Sequence, residues 1–165
     1  MVKNKTCVLI LENLRSVENT ASIFRTAEGL GVSKIILVGT TPAPVDRFGR
    51  KRKDFAKVSL GSEDMMDWEY VSEDNFQFTI SNLQNDGFKI ITLEQDPKAR
   101  KLKSFEANKL ERFALIVGNE VDGVSKVALD NSDEIVEIPM QGKKESLNVS
   151  VSTGIALFVL LPHTK

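Results

Sequence analysis

Apolar positions along the chain switch between two periods. Thr6 to Leu11 is a short β-prone run. From Val17, apolar residues recur at Ala21, Phe24, Ala27 and Leu30, the spacing of one helical face. Gly31 stands where a helix commonly ends on a left-handed residue. Lys34 to Val38 is an apolar run of buried-strand length closed by Gly39. Strand, helix, strand in that order is a βαβ unit and predicts parallel strands.

The same alternation continues. Thr41 to Arg52 holds two prolines and reads as a loop. Trp68 to Val71 is a weak strand, followed by a helix capped at Ser72 or Asp74 that runs to about Asp86 and stops at Gly87. Phe88 to Leu93 is a strand. Glu94 to Asn108 is polar and basic without periodicity. Phe113 to Val117 is a strand ending in Gly118, and a short helix spans about Ser125 to Asn131. A strand from Glu134 to Ile138 is stopped by Pro139, and a last helix covers about Leu147 to Leu161 before Pro162. The pattern predicts an α/β layered fold of about six strands. No linker, repeat or low-complexity stretch divides it, so residues 1–165 are expected to form one domain.

Composition narrows the function classes. The run Cys7 to Leu11 is too short for a signal peptide, and Ile155 to Leu161 is too short to span a bilayer, so a soluble cytoplasmic protein is expected. One cysteine, Cys7, and one histidine, His163, make neither a disulfide nor a Cys/His zinc site. The formal net charge is −1, but charge is segregated. Asp46 to Lys57 carries six basic residues (Arg47, Arg50, Lys51, Arg52, Lys53, Lys57) against Asp46 and Asp54, whereas Glu63 to Asp74 carries six acids and no base. Such a chain can turn a local positive face toward phosphates while staying acidic overall; a solvated loop explains the cluster as well.

Three segments carry candidate chemistry. The first, Asn19 to Ala27, sets Asn19 and Arg25 six residues apart on the first helix, about 120° around it. An Arg lying over the edge of the core is the simpler account of Arg25. The second, Leu115 to Ser125, runs a strand into a turn with Gly118, Glu120 and Gly123, at the strand end where open α/β sheets bind ligands. It is neither a dinucleotide fingerprint nor a phosphate loop, and an ordinary turn with Ser125 as helix cap accounts for it equally. The third, Ile138 to Ser152, is a polar approach to a helix N-terminus, where Ser146 or Asn148 can cap.

Together, and in this order, these segments resemble the three motifs of the SpoU (TrmH-like) RNA 2′-O-methyltransferases of the knotted SPOUT class. The resemblance spans Asn13 to about Leu161. It implies a mostly parallel sheet flanked by helices with a C-terminal deep trefoil knot, a rare exception to unknotted connections, and S-adenosylmethionine as cofactor. The cofactor walls implied are Leu93, Glu94, Val117, Gly118, Asn119, Glu120, Gly123, Ile138, Met140, Ser146, Leu147 and Asn148. The catalytic set implied is Asn19, Arg25, Glu120, Ser146 and Asn148, with Arg25 of one subunit facing the cofactor of the other in a homodimer. The second motif, Gly-Asn-Glu-Val-Asp-Gly, departs from many relatives in lacking a small residue at position 121 or 122.

The resemblance casts Arg25 as a general base or an electrostatic group. A guanidinium stays protonated, so Arg25 is expected to hold a phosphate and stabilise the developing alkoxide. Ser146 and Asn148 then orient Arg25 or the ribose, and Glu120 fixes the turn or Asn19. The methyl group is already activated, so no metal is expected. Arg47, Arg50, Lys51, Arg52 and Lys53 are expected to contact RNA phosphates. Transfer RNA is preferred over ribosomal RNA. A non-catalytic RNA-binding relative and a nucleotide-dependent oxidoreductase are the competing readings.

Overall fold

A computed structural model describes residues 4–162; His163 lies outside them. Seven strands form one parallel sheet: β1 (Thr6–Glu12), β2 (Lys34–Val38), β3 (Trp68–Val71), β4 (Lys89–Leu93), β5 (Arg100–Lys101), β6 (Arg112–Val117) and β7 (Glu134–Glu137), in the spatial order β3-β2-β1-β6-β4-β7-β5. Every pair is parallel, so all strands end on one edge. Six α-helices accompany them: α1 (Val17–Leu30), α2 (Lys53–Ser59), α3 (Ser62–Met65), α4 (Phe76–Asn85), α5 (Lys126–Asp130) and α6 (Val149–Leu160).

The central strands are apolar at successive positions because both sheet faces are covered. Cys7, Leu9 and Leu11 of β1 join Phe24 of α1, Phe55 of α2 and Leu157 of α6 in one core. Val8 and Ile10 turn to the opposite face, with Phe76 and Ile80 of α4 and Ala128 of α5. Phe24 and Phe55 meet edge to face, their ring centroids 5.2 Å apart. Burial pushes the Cys7 thiol far above its usual range.

Local chemistry sets the helix ends. The Ser16 side chain caps α1 by accepting from the Asn19 N–H, and Gly31, at φ 80°, closes it. The Lys5 ammonium donates to the Leu160 carbonyl at 2.9 Å and also to that of Ala107, tying the start of β1 to the last turn of α6.

Several elements differ from the sequence expectations. There are seven strands, because the two-residue β5 adds to β7 within a stretch that shows no periodicity. Helices α2 and α3 are too short to declare a period; α2 is held by the burial of Phe55 and Ser59. The helix expected from Ser72 or Asp74 begins as a 3-10 turn at Glu73–Asn75, with no side-chain cap from Ser72. The strand expected from Phe88 begins at Lys89, and β7 ends at Glu137, leaving Ile138 in the following loop. The last helix begins at Val149, because Asn148 caps it.

Buried Thr41 joins the ends of β1 and β2. Its hydroxyl lies 2.8 Å from the Leu11 carbonyl and 2.9 Å from that of Val38, and it accepts from the Leu14 N–H at 3.0 Å. Thr41→Val keeps the shape but leaves the Leu14 N–H without its acceptor. A loss of about 1–3 kcal/mol is expected, read as a lower urea midpoint with unchanged slope.

Candidate functional site

The parallel arrangement brings the loops after β4, β6 and β7 to one edge, where they enclose a cavity of about 570 Å³. Leu93 and Glu94 come from the end of β4, Val117 to Glu120 and Gly123 from the turn after β6, and Ile138, Met140 and the Ser146–Leu147–Asn148 approach to α6 from the loop after β7. All twelve residues expected to wall the cofactor site line this cavity. Sequence reasoning missed Gln95, Val121, Glu137, Glu145, Val149 and Ser152, which also line it. Five of them are next in sequence to residues that were found, Ser152 lies one helical turn beyond Asn148, and no signal of their own marks them.

The turn after β6 is shaped by close backbone packing. Asn119 and Gly123 exchange two backbone hydrogen bonds of 3.0 Å. A Cβ on Gly118 would lie 2.5 Å from backbone atoms of Gly123 and Val124, so only glycine fits there. Gly123, at φ 72°, leaves its α-face to the Glu94 carboxylate, which accepts from the Val124 N–H at 3.0 Å. The Asn119 side chain accepts from the Val121 and Asp122 N–H groups and donates to the Asn13 carbonyl at 2.7 Å.

A relay of side chains links the three candidate segments. The Asn148 amide donates to the Asn19 side-chain oxygen at 3.1 Å. The Asn19 amide donates to Glu120 at 3.3 Å, and Glu120 also accepts from the N–H groups of Arg15 at 3.1 Å and Ser16 at 3.3 Å. Burial works to raise the Glu120 carboxyl, yet hydrogen bonds from its own N–H, from Arg15 and Ser16 and from Asn19 outweigh it and hold the group below the usual carboxylate range. The remaining oxygen of Asn148 accepts from Ser150 N–H at 2.8 Å, which starts α6. Asn148 is therefore both helix cap and relay member.

Two expected site residues stand apart from this relay. Ser146 lines the cavity in an exposed position. Arg25 is exposed on α1 and does not line the cavity. It lies one turn from Ser22, beside a second, shallower cavity between α1 and α6 lined by Ser22, Thr26, Val151, Ile155 and Phe158 among others. The basic residues expected to meet RNA sit on the loop after β2 and the start of α2. Three are paired with acids: Arg50 with Asp46 at 2.9 Å, Lys51 with Asp64 at 2.9 Å and Arg52 with Asp54 at 2.7 Å. Arg47 and Lys53 have no ion-pair partner among the described residues. Among those residues, no three His, Cys, Asp or Glu side chains are grouped to hold a metal ion.

Comparison with known proteins follows the same segments. The model of the SpoU rRNA Methylase family matches residues 6–158. The chain is 35% identical over 156 residues to an uncharacterized tRNA/rRNA methyltransferase of Borreliella burgdorferi, covering 94% of this chain and 64% of that protein. It is 30% identical to the 23S rRNA (guanosine-2′-O-)-methyltransferase RlmB of Neisseria meningitidis, over 91% of this chain and 56% of that one. It thus spans less than two thirds of either relative. The crystal structure of an AdoMet-bound rRNA methyltransferase from Sinorhizobium meliloti superposes with a TM-score of 0.80 at 24% identity, over 96% of this chain and 56% of that chain, and shares its fold.

Glu12, at the end of β1, supports the cavity from below. It is buried and accepts from the Ser125 N–H at 3.0 Å. Burial pushes its carboxyl above the usual range, opposed in part by hydrogen bonds from Ser125 and reinforced by the charge of Glu73. A carboxyl more easily protonated in the folded state stabilises the fold below its unfolded pKa of about 4.3 and loses that contribution as pH rises through the folded value. Glu12→Gln keeps an acceptor for Ser125 without the buried charge. The melting temperature of the variant relative to the parent is expected to rise between about pH 4 and about pH 8; a difference independent of pH would remove Glu12 as its source.

Proposed function

The chain belongs to the SpoU rRNA methylase family, and on that premise we propose that it transfers a methyl group from S-adenosylmethionine to a ribose 2′-hydroxyl of RNA, acting as a homodimer. The observation that carries this reading is the relay from Asn148 through Asn19 to Glu120, which holds three distant segments at the mouth of one cavity.

The cavity suits S-adenosylmethionine. Its volume falls in the usual range for small-molecule sites, about 300–1,000 Å³. Leu93, Val117, Ile138, Met140 and Leu147 offer apolar walls to an adenine ring, while Glu94, Glu120, Glu137 and Glu145 supply negative charge toward a cationic ligand. When bound, the cofactor supplies a methyl group already activated on a sulfonium. The chain's own task is to position the hydroxyl in line and to stabilise negative charge on its oxygen. Asn19, fixed by Glu120 and Asn148, and Ser146 at the rim are the groups available within one subunit.

The missing cation is Arg25. Its exposure beside the α1–α6 cavity supports a second copy as the occupant of that surface. Leu147, Val151, Ile155 and Phe158 form an exposed apolar stripe at helical spacing along and just before α6. A two-fold contact there brings the Arg25 of each copy to the cavity of the other. Arg25 then binds the adjacent phosphate and stabilises the alkoxide without acting as a base. The path into α6 supports a trefoil knot as well: β6 enters between β1 and β4, β7 lies beyond β4, and α6 returns to pack on α1. No described helix is long and apolar enough to cross a membrane, and we place the reaction in the cytoplasm. Transfer RNA is the target proposed ahead of ribosomal RNA; a tRNA (guanosine(18)-2′-O)-methyltransferase of Borreliella burgdorferi, 29% identical over 92% of this chain, supports that choice.

Arg25→Ala is expected to lower methyl transfer at least ~100-fold, as loss of an electrostatic group does, while S-adenosylhomocysteine still binds in calorimetry. Lost cofactor binding in a folded variant would overturn the role. Co-expressing Arg25→Ala with a cofactor-blocked Met140→Trp, whose enlarged side chain enters the cavity without touching the turn after β6, should restore up to about a quarter of parental activity, the share of intact composite sites in random dimers; no recovery between two folded variants would refute the shared site. Labelled methyl groups are expected in purified tRNA; label confined to ribosomal RNA would reassign the target, and label in neither would refute the activity.

A further inference from the structure

Phe48 is 66% exposed and belongs to neither core cluster. An exposed phenylalanine is unremarkable on a mobile loop, but this one is held by a tightly bonded turn. Val45 and Lys51 form an antiparallel bridge. Asp46 accepts at its carboxylate from the N–H groups of Phe48 at 2.8 Å and Arg50 at 3.0 Å, and its own N–H and carbonyl bond Arg50 and Gly49. Gly49, at φ 76°, takes the left-handed position that lets the turn close. The backbone that carries the ring is thus already ordered.

Two guanidiniums lie over that ring, Arg47 at 4.7 Å and Arg50 at 5.0 Å from its centroid. Arg50 is also held by Asp46, whereas Arg47 has no ion-pair partner among the described residues. Arg47 is free to turn to a phosphate while its place over the ring is taken by another flat group. The loop leaves β2 on the same sheet edge as the cavity. Its entrance is tied to the site: Asn13 accepts from the Thr40 N–H at 3.0 Å and, at its carbonyl, from the Asn119 amide at 2.7 Å. An apolar protein partner has little to meet on a ring flanked by the guanidiniums of Arg47 and Arg50. A base with its phosphate fits both the face and the charge.

We propose that Phe48, flanked by Arg47 and Arg50, is a stacking platform for an unpaired nucleobase near the methylated nucleotide. The inference rests on the RNA reading above and adds a recognition element outside the catalytic cavity. Unpaired bases are what proteins stack on aromatic rings and guanidinium planes, so the platform selects single-stranded loops over duplex.

The test uses the full chain, a tRNA transcript and a short single-stranded RNA. Phe48→Leu keeps apolar area but removes the aromatic face; it is expected to weaken binding of both RNAs ~5- to 100-fold with little change in salt dependence. Phe48→Trp should bind as the parent does and lose indole fluorescence on adding single-stranded RNA, with Trp68 of the parent as background. Arg47→Gln should instead flatten the salt dependence. Parental affinity in Phe48→Leu overturns the platform while leaving the methyltransferase reading intact. A parent that binds S-adenosylhomocysteine but neither RNA sinks both. A Phe48→Leu variant whose subunit association, not RNA affinity, is altered assigns the ring to a protein contact and refutes the proposal.

Discussion

One carboxylate holds the working edge of this molecule together. Glu120, on the turn after β6, accepts from the backbone of Arg15 and Ser16 and from the side chain of Asn19. It therefore anchors the start of α1 to a turn about one hundred residues later in the chain. Burial opposes its charge, but the hydrogen bonds to the ionised form prevail and hold its carboxyl below the usual range. Without that anchor, the Asn19 side chain keeps only Asn148, itself fixed as the cap of α6, to hold it at the cavity. The anchor works because the sheet is wholly parallel, which delivers the turns of β4, β6 and β7 to the same side.

Much of this edge was legible in the sequence. α1 and β2 were located to the residue, because a helical stripe ended by glycine and an unbroken apolar run are unambiguous periods. Much of the cavity lining came from the family resemblance that the three segments carry, Leu93 and Glu94 lying outside those segments. What escaped were elements whose stability comes from tertiary contact. α2 is seven residues long and depends on Phe55 entering the core against Phe24. β5 exists only as two residues beside β7. The supports beneath the site were silent for another reason. Asn13, at φ 53°, and Gly39, whose face it fills, are a matched pair that no local pattern announces. The left-handed tendency of asparagine after a strand is the one clue.

The basic cluster illustrates how structure revises a count of charges. Six cations between Arg47 and Lys57 suggest a strongly positive patch, yet Asp46, Asp54 and Asp64 occupy three of them. Exposed pairs of this kind are worth little individually, so they exchange readily for a phosphate. They also lower the number of free charges open to an incoming polyanion, and the aromatic ring among them becomes correspondingly more important. The apolar stripe on α6 and the charged loop after β2 thus divide the surface by chemistry, one apolar and the other charged.

Cys7 adds a consequence of a different kind. It is the chain's single thiol, fully enclosed in the central strand, and its environment suppresses the reactive thiolate. A reagent reaches it only when the helix layer of α1 and α6 lifts from this face of the sheet or the sheet itself opens, and local fraying of loops leaves it untouched. The rate of its alkylation is therefore a built-in clock for opening of the main core, separate from events confined to the cavity edge.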